Sequence, residues 1–418
     1  MASDLLDRFK RLVTIEPETA VEGPTTTTKD GILPSAHNSG IPGEIKDTPY
    51  GPVRLIRRVE HLDYPDALPE LSRVLLPETT RLAGILKDPR LAGFDRNHAL
   101  FLDVESTSLS HGAGNVAFLV GLGFFEGNTF VVEQYFMDDF DQEMAQLHCV
   151  LERLKDRRYL VSYNGKSFDK SILESRFVIQ RFMDRKEAEL RLLPHLDLLH
   201  VGRRVLGGTL ARHNLATVEE EVLGFHRQDD VPGSVVPQIY FGFLMNRDES
   251  LIGAVIDHNY WDIVSLAYLA HLLLRFLIPG VPHGQPTVDR NVGRLFLEAA
   301  RPDVAVGFLE SALDLSTDDD AVAAANYLAQ ARRKLNRDWS VQESIWRRAH
   351  TNAPDHPTPC EELSKCLEWG SKDKRSALHW AREALQRTPG GNESIHKRIQ
   401  RLQASKENQS GSQGPSQG

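Results

Sequence analysis

Between residues 98 and 278, apolar runs of strand length come first and then alternate with stretches of helical period, which is the order of an α/β domain. ALFLDV at 99–104, AFLVGLGFF at 117–125 and TFVVEQYF at 129–136 read as strands, and their short connections predict a meander. A helix is expected over 144–154, a strand over 159–163, a helix over 169–182 and a short strand over 194–198. The longest helical pattern, 250–276, is closed by Pro279 and Gly280.

On either side the texture changes. Residues 4–14 could form one short amphipathic helix, whereas 18–43 are rich in Thr, Pro, Gly and Ser without periodicity. The expected organisation is a disordered N-terminal arm at 1–49, a preface packed on the catalytic domain at 50–95, the α/β domain at 96–280, a helical region at 288–404 and a disordered tail at 405–418. In the helical region AVGFLESA at 305–312, SIWRRA at 344–349 and ALHWAREA at 377–384 align, with Ala312, Ala349 and Ala384 spaced by 37 and 35 residues. These segments resemble degenerate tetratricopeptide repeats, whose period is ~34 residues, and an ordinary antiparallel bundle is the other reading.

Composition excludes several classes. The 49 basic against 58 acidic residues give a formal charge of −9, so the chain does not coat nucleic acid through bulk positive potential. Any phosphate must be met locally or through metal ions. Cys149, Cys360 and Cys366 make neither a disulfide framework nor a zinc pair, which implies a reducing, cytoplasmic setting. Residues 1–16 mix charges with apolar residues, unlike a signal peptide, and no run reaches the ~18 apolar residues of a membrane span.

Three segments carry chemistry. Asp103 and Glu105 flank Val104 at the end of the first strand and project from one face, where like charges repel unless hydrated, paired or neutralised by a cation. SYNGKSFD at 162–169 runs from a strand into a helix that Asp169 opens; its Gly-Lys-Ser is not a phosphate-binding P-loop, because Leu160 stands where that loop needs glycine. In the long helix, His258 and Asp262 lie four apart on one face. Each pattern alone has a plainer explanation: a solvated edge, a helix cap, an i,i+4 hydrogen bond.

Together the three segments resemble the DEDD superfamily of 3′–5′ exonucleases, whose fold is ribonuclease-H-like. Asp103 and Glu105 match the first motif, Asn164, Phe168 and Asp169 the second, His258 and Asp262 the third. FLDVESTSLS, AFLVGLGFFEG, VSYNGKSFD, TVEEEVLGFHRQDDVPGS and HNYWDIVSLAYL look like the YprB-type subgroup, bacterial proteins that often carry C-terminal tetratricopeptide repeats. The fold expected is therefore α/β, a ribonuclease-H-like mixed sheet flanked by helices, followed by an all-α repeat region.

The resemblance implies a nuclease that hydrolyses phosphodiester bonds of single-stranded DNA or RNA from the 3′ end, using two Mg²⁺ or Mn²⁺ ions. Such ions prefer oxygen ligands and, about 3.5 to 4 Å apart, stabilise the attacking and departing oxygens. Asp103 would bridge both ions, Glu105 and Asp262 would complete one site, and Asp169 would hold the second through water. His258 would orient or deprotonate the attacking water; its four-residue spacing from Asp262 is the one such exonucleases use with tyrosine, whereas histidine usually stands five away. Ser106, Thr107 and Leu109 resemble the stretch that faces the terminal nucleotide, and Asn164, Lys166 and Phe168 join them as substrate-binding residues.

Asp197 either supports the site or caps a helix, and the 229–233 turn is explained by turn chemistry. Basic residues between 153 and 191, among them Arg153, Lys155, Arg157, Lys166, Lys170 and Arg176, either line a phosphate path or make solvated helix faces. Two rival readings remain: a catalytically silent scaffold that binds nucleic acid, or a protein partner through its repeats, and a structure-specific endonuclease on the same fold.

Overall fold

The computed structural model describes residues 40–60, 85–86, 88–108, 114–127, 129–182, 193–227 and 230–410. The helix expected over 4–14 lies outside them. The chain divides into two compact units, Met1–Gly202 with Arg212–Arg275, and Arg203–Ala211 with Phe276–Gly418.

The first unit is built on a seven-stranded mixed sheet of order β1-β2-β5-β4-β3-β6-β7. Its strands are β1 (Glu44–Thr48), β2 (Gly51–Glu60), β3 (Ala99–Ser106), β4 (Ala117–Glu126), β5 (Thr129–Phe136), β6 (Tyr159–Ser162) and β7 (His195–Asp197). β3, β4 and β5 form the expected antiparallel meander, while β6 and β7 add in parallel beside β3. Every residue of β4 except Glu126 is buried, as a strand covered on both faces should be.

One face is covered by α1 (Glu143–Leu154) and α2 (Asp169–Ile179): Leu100, Leu102, Leu122 and Tyr135 share a core with Leu147, Leu151, Leu173 and Phe177. The other is covered by α4 (Val236–Asn246) and α5 (Ile252–Phe276), which set Tyr240, Phe243, Val255 and Ile256 against Phe118, Phe136 and Ile56. Each such large apolar side chain contributes about 1.5–3 kcal/mol on burial. Between β7 and α4 run α3 (Leu198–Val205), a short helix at Leu215–Val218 and a π-helical turn at Glu219–Leu223.

Three expected boundaries move. Residues 44–48, assigned to the disordered arm, form β1, and the start of the 50–95 preface is β2, which joins the sheet of the domain it was expected to pack on by pairing with β5. EIKDT is an edge strand with mostly exposed side chains, so its composition resembles a loop. Arg203–Ala211 belongs to the second unit, not to a continuous 96–280 domain: Asn291 donates from Nδ2 to the carbonyls of Val205 and Gly207 at 3.0 and 2.9 Å. At the other end the last helix continues to Ser410, beyond the expected start of the tail.

The second unit is helical: α6 (Pro286–Glu298), α7 (Pro302–Leu315), α8 (Asp318–Leu335), α9 (Trp339–Asn352), α10 (Pro357–Cys366), α11 (Lys374–Gln386) and α12 (Glu393–Ser410), with a π-helical turn at Leu367–Ser371. Successive helices pack on one another, and Ala312, Ala349 and Ala384 are fully buried in α7, α9 and α11. No helix among the described residues is long and apolar enough to cross a membrane.

Candidate active site

The site begins where β3 ends. Asp103 pairs with Gly121 of β4 and Glu105 with Leu119, and the register shifts between Glu105 and Ser106. Only glycine fits at position 121, because a Cβ there would fall 2.3 Å from Oδ1 of Asn259. The space it leaves lets Asn259, buried on α5, donate from Nδ2 to Oδ2 of Asp103 at 2.8 Å. Gln134 of β5 holds the other end of that amide, donating from Nε2 to Asn259 Oδ1 at 2.8 Å and to the Ile256 carbonyl at 2.7 Å. A chain of amides thus sets the height of α5 over the sheet. It thereby sets His258 and Asp262 as well, since they share that helix.

The second motif is held by Asp197, at the end of β7 and paired with Ser162. Its carboxylate accepts the backbone N–H of Asn164 at 2.9 Å, of Lys166 at 3.1 Å and of Leu199 at 3.1 Å. It therefore both caps α3 and fixes the loop that delivers Asp169. Asn164 is left-handed in that loop (φ 62°), a conformation Asn tolerates better than most residues. Gly165 is required by close approach, because a Cβ would lie 2.3 Å from Ser162 Oγ and 2.7 Å from Asp169 Oδ2. Gly165→Ala should therefore displace Asp169, cost about 1–3 kcal/mol as an overpacked site does, and lower any activity. Urea unfolding with wild-type stability would contradict this packing.

His258 faces two acids, with Nε2 3.8 Å from Glu105 Oε1 and 3.7 Å from Asp262 Oδ2. Its Nδ1 lies 2.7 Å from Asp230 Oδ1. Ligand atoms of Glu105, His258 and Asp262 all lie within 4.8 Å of one another. Arg227, only 9% exposed in its side chain, donates through Nη2 to both Asp262 Oδ1 and Glu219 Oε1, and through Nη1 to the His258 carbonyl at 3.3 Å.

Burial and mutual repulsion hold protons on this cluster. Burial, then the charges of Asp262, Asp169 and Glu105, push Asp103 well above the carboxylate range, against the Asn259 hydrogen bond. Burial pushes Glu105 to about 8; His258 opposes this, while Asp262 and Asp169 add to it. Burial also raises Asp169 to about 7 although its own N–H and that of Val104 donate to it. His258 is raised because Asp262, Glu105 and Asp230 together outweigh its desolvation.

A crowded set of desolvated oxygen donors with one imidazole fits a hard divalent cation, which would take the place of those protons. Without metal, groups with raised pKa favour the folded state fully below their ordinary values and lose that contribution as pH rises through about 7 and 8. Thermal melts in EDTA should therefore fall between about pH 5 and pH 8, and Mn²⁺ should restore most at the alkaline end. Melting independent of pH and metal across that window would contradict a coupled cluster.

The remaining expected residues are placed differently. Lys166 is exposed and Phe168 is 37% exposed, on the loop that leads to Asp169. Ser106 and Thr107 use their hydroxyls to fold the chain: Asn115 Nδ2 donates to Ser106 Oγ at 3.2 Å, and Thr107 Oγ1 donates to Asn115 Oδ1 at 3.2 Å. Leu109 lies outside the described residues. Within the basic cluster, Arg153 pairs with buried Glu133 and Arg176 with buried Glu143, so both brace the domain rather than line a path. Asn259, Arg227 and Glu219 are not singled out by sequence, and Asp230, there explained by turn chemistry alone, sets its carboxylate on His258. Asn259 is visible there beside His258, whereas Arg227 sits in a loop with no local motif.

The domain family described as the RNase H superfamily matches residues 100–274. Over 319 residues the chain is 30% identical to the uncharacterized protein YprB of Bacillus subtilis (strain 168), covering 74% of this chain and 75% of that one. Among solved structures, the family B DNA polymerase of the hyperthermophilic archaeon Pyrobaculum calidifontis is similar over 52% of this chain and 28% of its own, with 17% identity and a TM-score of 0.35.

Proposed function

Because this chain belongs to the ribonuclease H superfamily, in the family of YprB, we propose that it is a metal-dependent nuclease that removes nucleotides from the 3′ end of single-stranded nucleic acid. The observation that carries the reading is His258 set beside Glu105 and Asp262, with buried Asp103 and Asp169 near enough to feel the charge of the same carboxylates, a cluster costly enough to need a purpose.

Mg²⁺ or Mn²⁺, held by Asp103, Glu105, Asp169 and Asp262, would stabilise charge on the attacking and leaving oxygens of the phosphodiester. The chain does the rest. Asp230 holds Nδ1 of His258, so Nε2, facing Glu105 and Asp262, takes the proton of the attacking water. This arrangement supports that role at the four-residue spacing, because the neighbouring Asp230 carboxylate, and not helix register alone, orients the ring. Asn259 and Arg227 keep Asp103 and Asp262 in their rotamers while water and substrate exchange. Lys166 and Phe168, exposed beside the site, meet the terminal phosphate and base, and the helical unit is tetratricopeptide-like.

The test compares a 3′-labelled strand, a 5′-labelled strand and a closed circle of the same sequence, as DNA and as RNA. The reading expects early release of the 3′ label, a ladder from the 5′-labelled strand and an intact circle. Opening of the circle would replace the exonuclease with an endonuclease.

A further inference from the structure

β7 sends two side chains toward the second motif. His195 and Asp197 stand two residues apart, on one face of that strand. Asp197 takes the N–H groups of the loop, whereas His195 meets Ser162, the last residue of β6, with Nε2 2.7 Å from Oγ. Both are buried, and the same hydroxyl accepts the N–H of Gly165 at 3.2 Å. Polar groups this deep are costly unless their hydrogen bonds are used.

The direction of the bond follows from the other ring nitrogen. Nδ1 of His195 is buried and has no hydrogen-bond partner among the described residues. A proton there would be a buried donor without an acceptor, so the proton sits on Nε2 and is donated to Ser162 Oγ. Burial, then the charges of Lys166, Lys170 and His200, pushes His195 down to about 3, so the ring stays neutral and keeps this arrangement. Oγ then accepts twice, from Gly165 and from His195, and its own hydrogen remains to be given. Asp169 Oδ2 crowds the same face of Gly165: the two oxygens lie 2.3 and 2.7 Å from where a Cβ would stand, hence no more than about 5 Å apart. One bridging water spans that distance.

We propose that His195 and Ser162 are positioning residues for the metal centre: His195 turns the Ser162 hydroxyl toward Asp169, and that hydrogen bond, direct or through one water, holds the Asp169 carboxylate in the rotamer that serves the second ion. A partner behind a metal ligand ordinarily tunes affinity about 10–100-fold. Asp169 is a ligand only in the nuclease reading, on which this role rests, so ion uptake is measured apart from cleavage. A merely structural pair would fix the end of β6 and Gly165, and its loss would be felt in stability alone.

The full-length, metal-free chain is titrated with Mn²⁺ and the free ion is read by electron paramagnetic resonance, with melting curves alongside. Wild type should take up two ions. Ser162→Ala and His195→Leu should each weaken one of them roughly tenfold or more and leave the other, and His195→Gln, which keeps an N–H near the place of Nε2, should return most of the loss. In an Asp169→Asn background Ser162→Ala should change nothing further, because the ligand it aims is already gone. Should His195→Leu fail to fold, Ser162→Ala and His195→Gln carry the comparison. If Ser162→Ala binds both ions as wild type does, or adds its loss in full to that of Asp169→Asn, the proposal alone is overturned and the pair is structural. A wild type that takes up fewer than two ions also overturns it, and one that takes up none removes the nuclease reading as well.

Discussion

Asp103→Asn is expected to lower phosphodiester cleavage by about 10³-fold or more while the metal-free protein becomes more stable. Both effects have one cause. Asp103 is the acid whose proton is held by burial and by three neighbouring carboxylates, so folding near neutral pH must take up a proton that the neutral amide does not need. The amide keeps the shape of the side chain, and its oxygen can still accept from Asn259 Nδ2 while Gln134 holds the other end of that amide. What is lost is a charged oxygen ligand, and groups acting as one unit in catalysis fail together when one is removed. Single-turnover cleavage and urea unfolding measure the two effects. A variant that cuts at the wild-type rate would remove Asp103 from the chemistry, and one that is less stable would show that the cluster is not under electrostatic strain.

Arg227→Ala is the second large effect, expected to cost about 3 kcal/mol of stability because a buried ion pair loses one partner. Glu219, 3% exposed in its side chain, and Asp262 would be left facing each other across the space of the guanidinium. Through Nη2 the guanidinium also joins two places that no regular hydrogen-bond ladder connects, the π-helical turn at Glu219–Leu223 and the middle of α5, while Nη1 reaches the His258 carbonyl. Arg227→Lys keeps the charge but loses the fork, so it should fall between wild type and alanine. A purely structural role predicts only lower stability. A positioning role predicts in addition that Mn²⁺ binds more tightly, because Asp262 loses its competing cation, while turnover falls. Calorimetric Mn²⁺ titration beside the unfolding curve separates the two, and an Arg227→Ala protein that matches wild type in all three would contradict both.

How much of this is legible in the chain depends on range. β3, β4 and β5 are buried, nearly continuous apolar runs, and their ends are readable to within two residues from composition. β1 is not, since an exposed edge strand such as EIKDT has no apolar alternation to betray it. The five side chains singled out for chemistry carry their own local patterns, a strand end, a helix start and an i,i+4 pair. The structure sets His258 beside Glu105 and Asp262, and Asp103 and Asp169 near enough to feel the charge of neighbouring carboxylates. Their supports do not carry such patterns. Asn259 reaches Asp103 across 156 residues of sequence, and Arg227 reaches Asp262 across 35. Such contacts depend on how high α5 sits above the sheet, which Gly121 and Gln134 decide and no window of sequence displays.

A metal-dependent phosphodiesterase centre at this acidic cluster makes cleavage follow the metal. It is tested most directly by single-turnover cleavage of a 5′-labelled single strand as Mg²⁺ and Mn²⁺ are titrated, with wild type and Asp262→Asn side by side. No cleavage is expected in EDTA, with a rate that rises with either ion to saturation and loss of that response in the variant. Cleavage that persists in EDTA, or that Asp262→Asn leaves intact, would contradict it.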